Sequence, residues 1–204
     1  MESIDDKIIK HVSRLGRGSI VFPSSFVSLG ESKSVLKALE RLATKGTFIR
    51  VARGIYCYPK EDKVLGLGIV YPSYDEIAQS IAKRDKARIA PAGAYAMNVL
   101  GLTTQVPMNL VFLTDGSPRS IALFNGHKIT FKHTVPKKLS FQLQIAQLIT
   151  ATLQEIGREH ITEQHKQQLK TILSPIKEEQ IKVDYVLMPA WIRTLLKELY
   201  EQIL

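Results

Sequence analysis

Residues 32–46, SKSVLKALERLATKG, and the segment that follows them, 47–60, TFIRVARGIYCYPK, decide how this chain is read. In the first, Val35, Leu36, Leu39, Leu42 and Ala43 recur at the three- and four-residue steps of one helix face, which predicts a buried side. Lys33, Lys37, Arg41 and Lys45 run down another face at four-residue intervals. Ser32 is placed to cap the start and Gly46 to end the helix in a left-handed conformation. Two short β-type runs, 47–51 and 55–58, flank Ala52-Arg53-Gly54. A helix with one cationic face followed by a basic hairpin is the ending of a winged helix-turn-helix.

Upstream, residues 4–15 place Ile4, Ile8, Val12 and Leu15 on one helical stripe, with Ser3 and the acids after it suited to the N-terminus. The short apolar run 19–22 can pair with the later hairpin. Pro23-Ser24-Ser25 then starts a short helix with Phe26, Val27 and Leu29 inward, closed by Gly30. The order is helix, strand, short helix, longer helix, two-strand wing, within about the first 60 residues, the size of such a module.

The major groove of B-DNA admits one α-helix, whose N-terminal half presents side chains to base edges. Ser32, Lys33, Ser34 and Lys37 occupy that half and are the candidates for base or near-base contacts. Arg41 and Lys45 lie further along, where phosphate is the expected partner. Backbone N–H groups at the helix start add a phosphate site of their own. In the wing, Arg50 and Arg53 can reach an adjacent minor groove, and Gly54 permits the tight reversal. Arg17, with Arg14, can flank the same surface. Each of these cations alone has a plain alternative as a solvated side chain; the order of elements and the position of the charge carry the reading.

The bulk numbers agree. The 204 residues carry a formal charge of +9, and residues 1–60 hold eleven Lys/Arg against five Asp/Glu, a net of +6. Most of the excess therefore lies in under a third of the chain, and a clustered positive field favours phosphate backbones or anionic headgroups. No apolar run reaches the ~20 residues a membrane helix needs, and the first ten residues are unlike a signal peptide. The expectation is a cytoplasmic protein that does not enter membranes. Cys57 is the only cysteine, so neither an internal disulfide nor a cysteine metal cluster is expected.

After Pro59 the texture changes. The glycine-rich run 64–70 contains Gly66-Leu67-Gly68, half of a dinucleotide fingerprint, and reads as linker, which divides the chain into domains at 1–60 and 61–204. Ser73–Glu76 matches a capping box opening a helix to about residue 83. Residues 88–90 are β-like, Pro91 opens a small-residue helix over 92–100, and 109–114 (NLVFLT) is a strand. Residues 120–124 and 128–133 form a hairpin across Asn125-Gly126, so the small sheet is expected to be antiparallel. From residue 139 the signal is helical, ending in an apolar stripe through Leu204. The fold class expected is α+β: an N-terminal winged helix-turn-helix, then a larger α+β domain with a small antiparallel sheet and C-terminal helices.

No catalytic motif emerges. His160 and His165 are five apart and do not share a helix face as a zinc pair would; there is no GxSxG elbow and no P-loop. His133, Arg88, Tyr95 and Asp115 could be assembled into an acid/base site, but nothing in the sequence brings them together. The chain reads as non-catalytic, without metal or cofactor.

RVARGIYCYP after the basic-faced helix resembles the winged-helix part of AbiEi-type antitoxins of bacterial abortive-infection (type IV toxin–antitoxin) systems. PAGAYAMNVLGLTTQVPMNLVFLTDGSPRS and FKHTVPKKL are similar to a related group of AbiEi-like regulators, and the likeness spans roughly residues 5–155. The resemblance implies a transcriptional autoregulator of double-stranded DNA, bound at inverted repeats in its own promoter. Its partner gene would encode a nucleotidyltransferase toxin, countered by the C-terminal domain without a stable complex. Lys33, Lys37, Arg41, Arg50 and Arg53 match the DNA-facing positions. The alternatives are a winged helix used for protein contact, its basic face docking an acidic partner, and, last, an enzyme acting on nucleic acid through His133.

Overall fold

The computed structural model describes residues 2–62, 66 and 68–203. The linker reading of Val64, Leu65 and Leu67 and the end of the terminal stripe at Leu204 lie outside the described residues. By contacts the chain forms two compact units, Met1–Arg84 with Ile121–His127 and Asp85–Ser120 with Lys128–Leu204. The division expected at residue 60 is not where contacts separate the chain. Lys60–Asp62 (β4) and Gly68–Val70 (β5) pair as an antiparallel ribbon, and Tyr74–Asp85 (α3) follows within the first unit.

The first unit opens with Ile4–Leu15 (α1). Ser3 Oγ accepts from the Asp6 N–H at 3.2 Å while the Asp6 carboxylate takes the Ser3 N–H, a capping box that satisfies two orphan donors. Ile8 and Val12 are buried, but Leu15, at the end of the expected stripe, is exposed. Ile20–Val21 (β1) pairs antiparallel with Ile55–Cys57 (β3), which also pairs with Ile49–Ala52 (β2), giving the order β1-β3-β2. The short helix expected from Ser24 is a single 3-10 turn, Pro23–Phe26. It buries Phe26 and leaves Val27 facing water, because one turn can offer only one side chain inward. Ser32–Thr44 (α2) completes the core with Val35, Ala38, Leu39 and Leu42. Gly46, at φ +75°, ends it as expected.

Cys57 is 1 % exposed in the central strand, and burial pushes its thiol up to about 11. The native protein is therefore expected to resist a thiol-specific reagent at pH 8 and to react fully once unfolded. Fast native labelling would contradict this packing.

The larger sheet has four strands, Ile89–Ala92 (β6), Asn109–Thr114 (β7), Arg119–Ala122 (β8) and Lys128–His133 (β9), in the order β6-β7-β9-β8, all in the second unit but for Ile121 and Ala122 at the end of β8. It is mixed rather than antiparallel. β6 is antiparallel to β7, but β7 runs parallel to β9, with Leu110 opposite Ile129 and Thr114 opposite His133. β8 takes the outer edge, so the chain passes β9's position and returns into it. Pro91 lies inside β6 opposite Phe112, and the helix expected over 92–100, Gly93–Val99 (α4), starts one residue later at a glycine with φ +60°.

The helical remainder is Gln144–Ile156 (α5), Glu163–Leu173 (α6), Glu178–Lys182 (α7) and Ala190–Glu201 (α8), with α7 unforeseen. Ile149, Leu153, Leu169, Leu173, Ile192 and Leu196 are fully buried between them. Asp184, 1 % exposed, accepts the N–H groups of Gln142 and Leu143 at 2.8 and 2.9 Å and so closes the start of α5 from a distant part of the chain. The unit is α+β with a small sheet and C-terminal helices, and no helix among the described residues is long and apolar enough to cross a membrane.

Candidate nucleic-acid interface

The outward side of α2 is continuous. Ser32, Lys33, Leu36, Lys37, Glu40, Arg41, Thr44 and Lys45 are exposed, at the spacing of one helix face, while Ser34 is half-buried at its margin. Ser32 does not cap the helix. Glu31 occupies the N-cap without a side-chain bond, which moves Ser32 into the first turn and leaves the N–H groups there without a protein side chain. Leu36 departs from the expected core as well: it is 39 % exposed between Lys33 and Lys37. The core takes positions 35, 38, 39 and 42, so the buried stripe is rotated away from Leu36.

The four expected cations of the helix are not equivalent. Arg41 is clamped to Asp5 of α1, Nη2 to Oδ1 at 2.6 Å and Nε to Oδ2 at 3.3 Å. The guanidinium holds the Asp5 carboxyl below its usual range, with Lys45 adding a smaller pull in the same direction. Sequence placed Arg41 on phosphate; the structure gives it to a carboxylate 36 residues earlier. Lys37, Glu40, Arg41, Thr44 and Lys45 together line a shallow depression on this face, in which Glu40 is the one acid. Lys33, Lys37 and Lys45 are exposed with no ion pair among the described residues.

The β2–β3 hairpin lies in the same unit. Ala52 pairs with Ile55, so Arg53 and Gly54 alone make the reversal, Gly54 at φ +70° and Arg53 fully outward. Arg50 is exposed on the edge strand with its guanidinium carbon 5.2 Å from the centroid of Phe124. Phe124 reaches it from the Asn-Gly hairpin tip, whose Phe124 N–H bonds the Val51 carbonyl at 3.0 Å and whose Leu123 bridges Ala52. Arg17 is elsewhere occupied: Nη1 donates to the Pro59 carbonyl at 3.1 Å, lies 4.0 Å from Glu61 and its head stands over Tyr58. It braces the exit of β3 rather than extending the α2 face.

The acid/base grouping of His133, Arg88, Tyr95 and Asp115 is half assembled. Arg88 Nε bonds Asp115 Oδ2 at 2.8 Å and holds that carboxyl low, and His133 Nδ1 meets the Gly116 carbonyl at 3.2 Å at the same end of the sheet. Tyr95 is buried against Phe112. Arg88 and Asp115 consume one another, and no group of three or more His, Cys, Asp or Glu among the described residues could hold a metal ion.

Sequence reasoning missed Asp5, Leu36, Glu40 and Phe124. Only Phe124 left a trace, as a bulky apolar residue immediately before the turn pair Asn-Gly. A family model described as a family of unknown function, DUF6088, matches residues 7–181. No curated protein matches the chain.

Proposed function

The chain belongs to the DUF6088 family, a membership that carries no activity with it, and from the geometry we propose a sequence-specific double-stranded DNA-binding regulator. In this reading the first unit is a winged helix-turn-helix, with α2 as the recognition helix and the β2–β3 hairpin as the wing. The observation that carries it is the exposed face of α2, where Lys33, Lys37 and Lys45 have no ion pair among the described residues, in the same unit as the outward Arg50 and Arg53.

The face is also more than a cationic strip. Leu36 suits a thymine methyl and Glu40 a cytosine N4 amine, groups that a purely phosphate-binding surface would not need. Lys33 and Lys37 sit in the first two turns, with Ser32 beside the open helix start, where one phosphate would find both backbone donors and a favourable dipole. Footprinting on the DNA upstream of the gene tests the reading: protection of a defined repeat supports it, and salt-labile coating without boundaries counts against it.

Resemblance extends the proposal to an antitoxin that represses its own promoter, acting in the cytoplasm against a nucleotidyltransferase toxin without a stable complex. A nucleotidyltransferase reading frame beside this gene, and relief of its toxicity by the second unit's variants only when that unit is intact, are the results this extension requires. The Arg41–Asp5 pair and Glu40 lower the net charge of the face, which weakens its attraction for a duplex and for an acidic protein partner alike. The protein-docking alternative expects weak DNA binding with no sequence preference.

The pair itself gives a test. Asp5→Asn is expected to release Arg41, raising duplex affinity several-fold and steepening the log–log salt dependence by about 0.9. Because the folded carboxyl of Asp5 is lowered from 3.8, the pair's contribution to stability is whole above that value and is lost only as pH falls through the lowered one. At neutral pH the substitution therefore removes the whole of that contribution, which is small because surface ion pairs add little to stability. Unchanged affinity and slope would mean that Arg41 faces no phosphate.

A further inference from the structure

Alongside β2 the first unit carries a groove of about 510 Å³ walled by Ile49, Arg50, Tyr71, Tyr74 and Phe124, with Asn125 at its rim. Among its lining residues Arg50 is the one cation, and none is a carboxylate. Two of its aromatics face solvent to an unusual degree, Tyr71 at 68 % and Phe124 at 62 %. Single exposed apolar side chains are ordinary, but here they are gathered around one guanidinium. The walls are also held. Asn125 Nδ2 donates to the Tyr74 hydroxyl at 3.1 Å, that hydroxyl lies 3.0 Å from His127 Nδ1, and the Phe124 N–H is fixed on Val51.

We propose that this groove binds a small flat aromatic anion: an aromatic body carrying one negative group. Its volume falls within the range of small-molecule sites, roughly 300–1,000 Å³. The charge complement is a single guanidinium, which takes a carboxylate or phosphate through two parallel N–H donors. The aromatic body finds the Phe124 and Tyr71 rings, which prefer offset or edge contact with another ring. A cation would meet Arg50 with no acid to offset it, and a purely apolar ligand would leave the guanidinium unpaired in its shadow. Both nucleoside monophosphates and aromatic carboxylates have the required chemistry.

A consequence rests on the DNA-binding reading. Arg50 belongs to the hairpin assigned as the wing, so a ligand that neutralises it withdraws one cation from the duplex. Ligand and DNA then oppose each other, and by reciprocity each weakens the other by the same factor.

The test uses the full chain without DNA and the fluorescent aromatic sulfonate ANS as the probe. Saturable binding of one ANS per chain is expected, weakened about tenfold by Arg50→Ala and by Phe124→Ala, the loss of roughly one guanidinium–anion or ring contact. Circular dichroism and thermal unfolding of the exposed Arg50 variant should match the parent. Displacement by AMP assigns the nucleotide source and displacement by 1-naphthoate the carboxylate source. Equal ANS affinity in parent and both variants overturns the site, as does failure of both competitors or equal displacement by neutral naphthalene methanol. A second titration adds duplex: if the ligand binds and DNA affinity is unmoved, the antagonism is refuted while the site stands. Loss of DNA binding altogether leaves the ANS result untouched.

Discussion

Lys33→Ala combined with Lys37→Ala is expected to reduce duplex affinity by about a hundredfold and to flatten the log–log salt slope by about 1.8, since each phosphate contact contributes about 0.9 to that slope. Both residues are exposed on the first two turns of α2, and neither shares an ion pair with a described residue, so no internal contact is lost. Stability should move by less than about 0.5 kcal/mol, the usual range for surface changes. Lys177→Ala with Lys197→Ala, two exposed lysines of the second unit, removes the same charge from elsewhere. If net charge alone drove binding, the two double variants would lose affinity equally. A specific face requires that only the first pair does. Unchanged binding in the α2 variant would remove this helix from consideration, whatever the rest of the chain does.

What could be read from the residues, and what could not, divides by distance along the chain. The capping boxes at Ser3 and Ser73, the stop at Gly46 and the reversal around Gly54 are each closed within four residues and are present, although Ala52, expected in the turn, pairs with Ile55 and leaves Arg53-Gly54 as its only residues. β7 has the bounds expected from its apolar run. Leu36 fails for a different reason. Its place next to Val35 suits either edge of an amphipathic stripe, and tertiary packing covers Ala38 instead. Periodicity gives the width of a buried face better than its rotation.

The larger errors are non-local. Asn125-Gly126 specified a hairpin correctly, yet nothing in that pair says that β9 will sit between β8 and β7, and this order is what makes β7 and β9 parallel. The hairpin's tip, residues 123–127, joins the first unit through Val51 and Ala52, some seventy positions earlier, which is why Phe124 meets Arg50. Arg41 is the same lesson in electrostatics. Its spacing from Lys33 and Lys37 is read from the helix repeat, but the carboxylate that claims it lies on α1. The candidate face therefore has the expected position and a smaller available charge than the sequence suggested.

Asp184→Ala is expected to produce the largest loss of stability, about 2–4 kcal/mol, because it removes a buried carboxylate that accepts two charge-assisted backbone hydrogen bonds at once. The Asp184 carboxylate bonds the Gln142 and Leu143 N–H groups with one oxygen each, and no side chain of its own segment caps α5. It also stands at the positive end of the α5 dipole, where a negative group is favoured. Alanine removes a carboxylate that is itself 1 % exposed and leaves two part-buried donors without their protein acceptor. Asn at this position keeps one acceptor oxygen and turns an amide N–H₂ toward the other donor, so it should recover only part of the loss. The chain's single tryptophan, Trp191, packs against the same helical core, so its fluorescence reports this unit. A loss of a few kcal/mol corresponds to about 6–12 °C in Tm for a chain of this length. Duplex affinity measured well below that transition should be unaffected, since the α2 face belongs to the other unit. An Asp184→Ala protein that unfolds with the parent would mean that α5 starts without need of this cap.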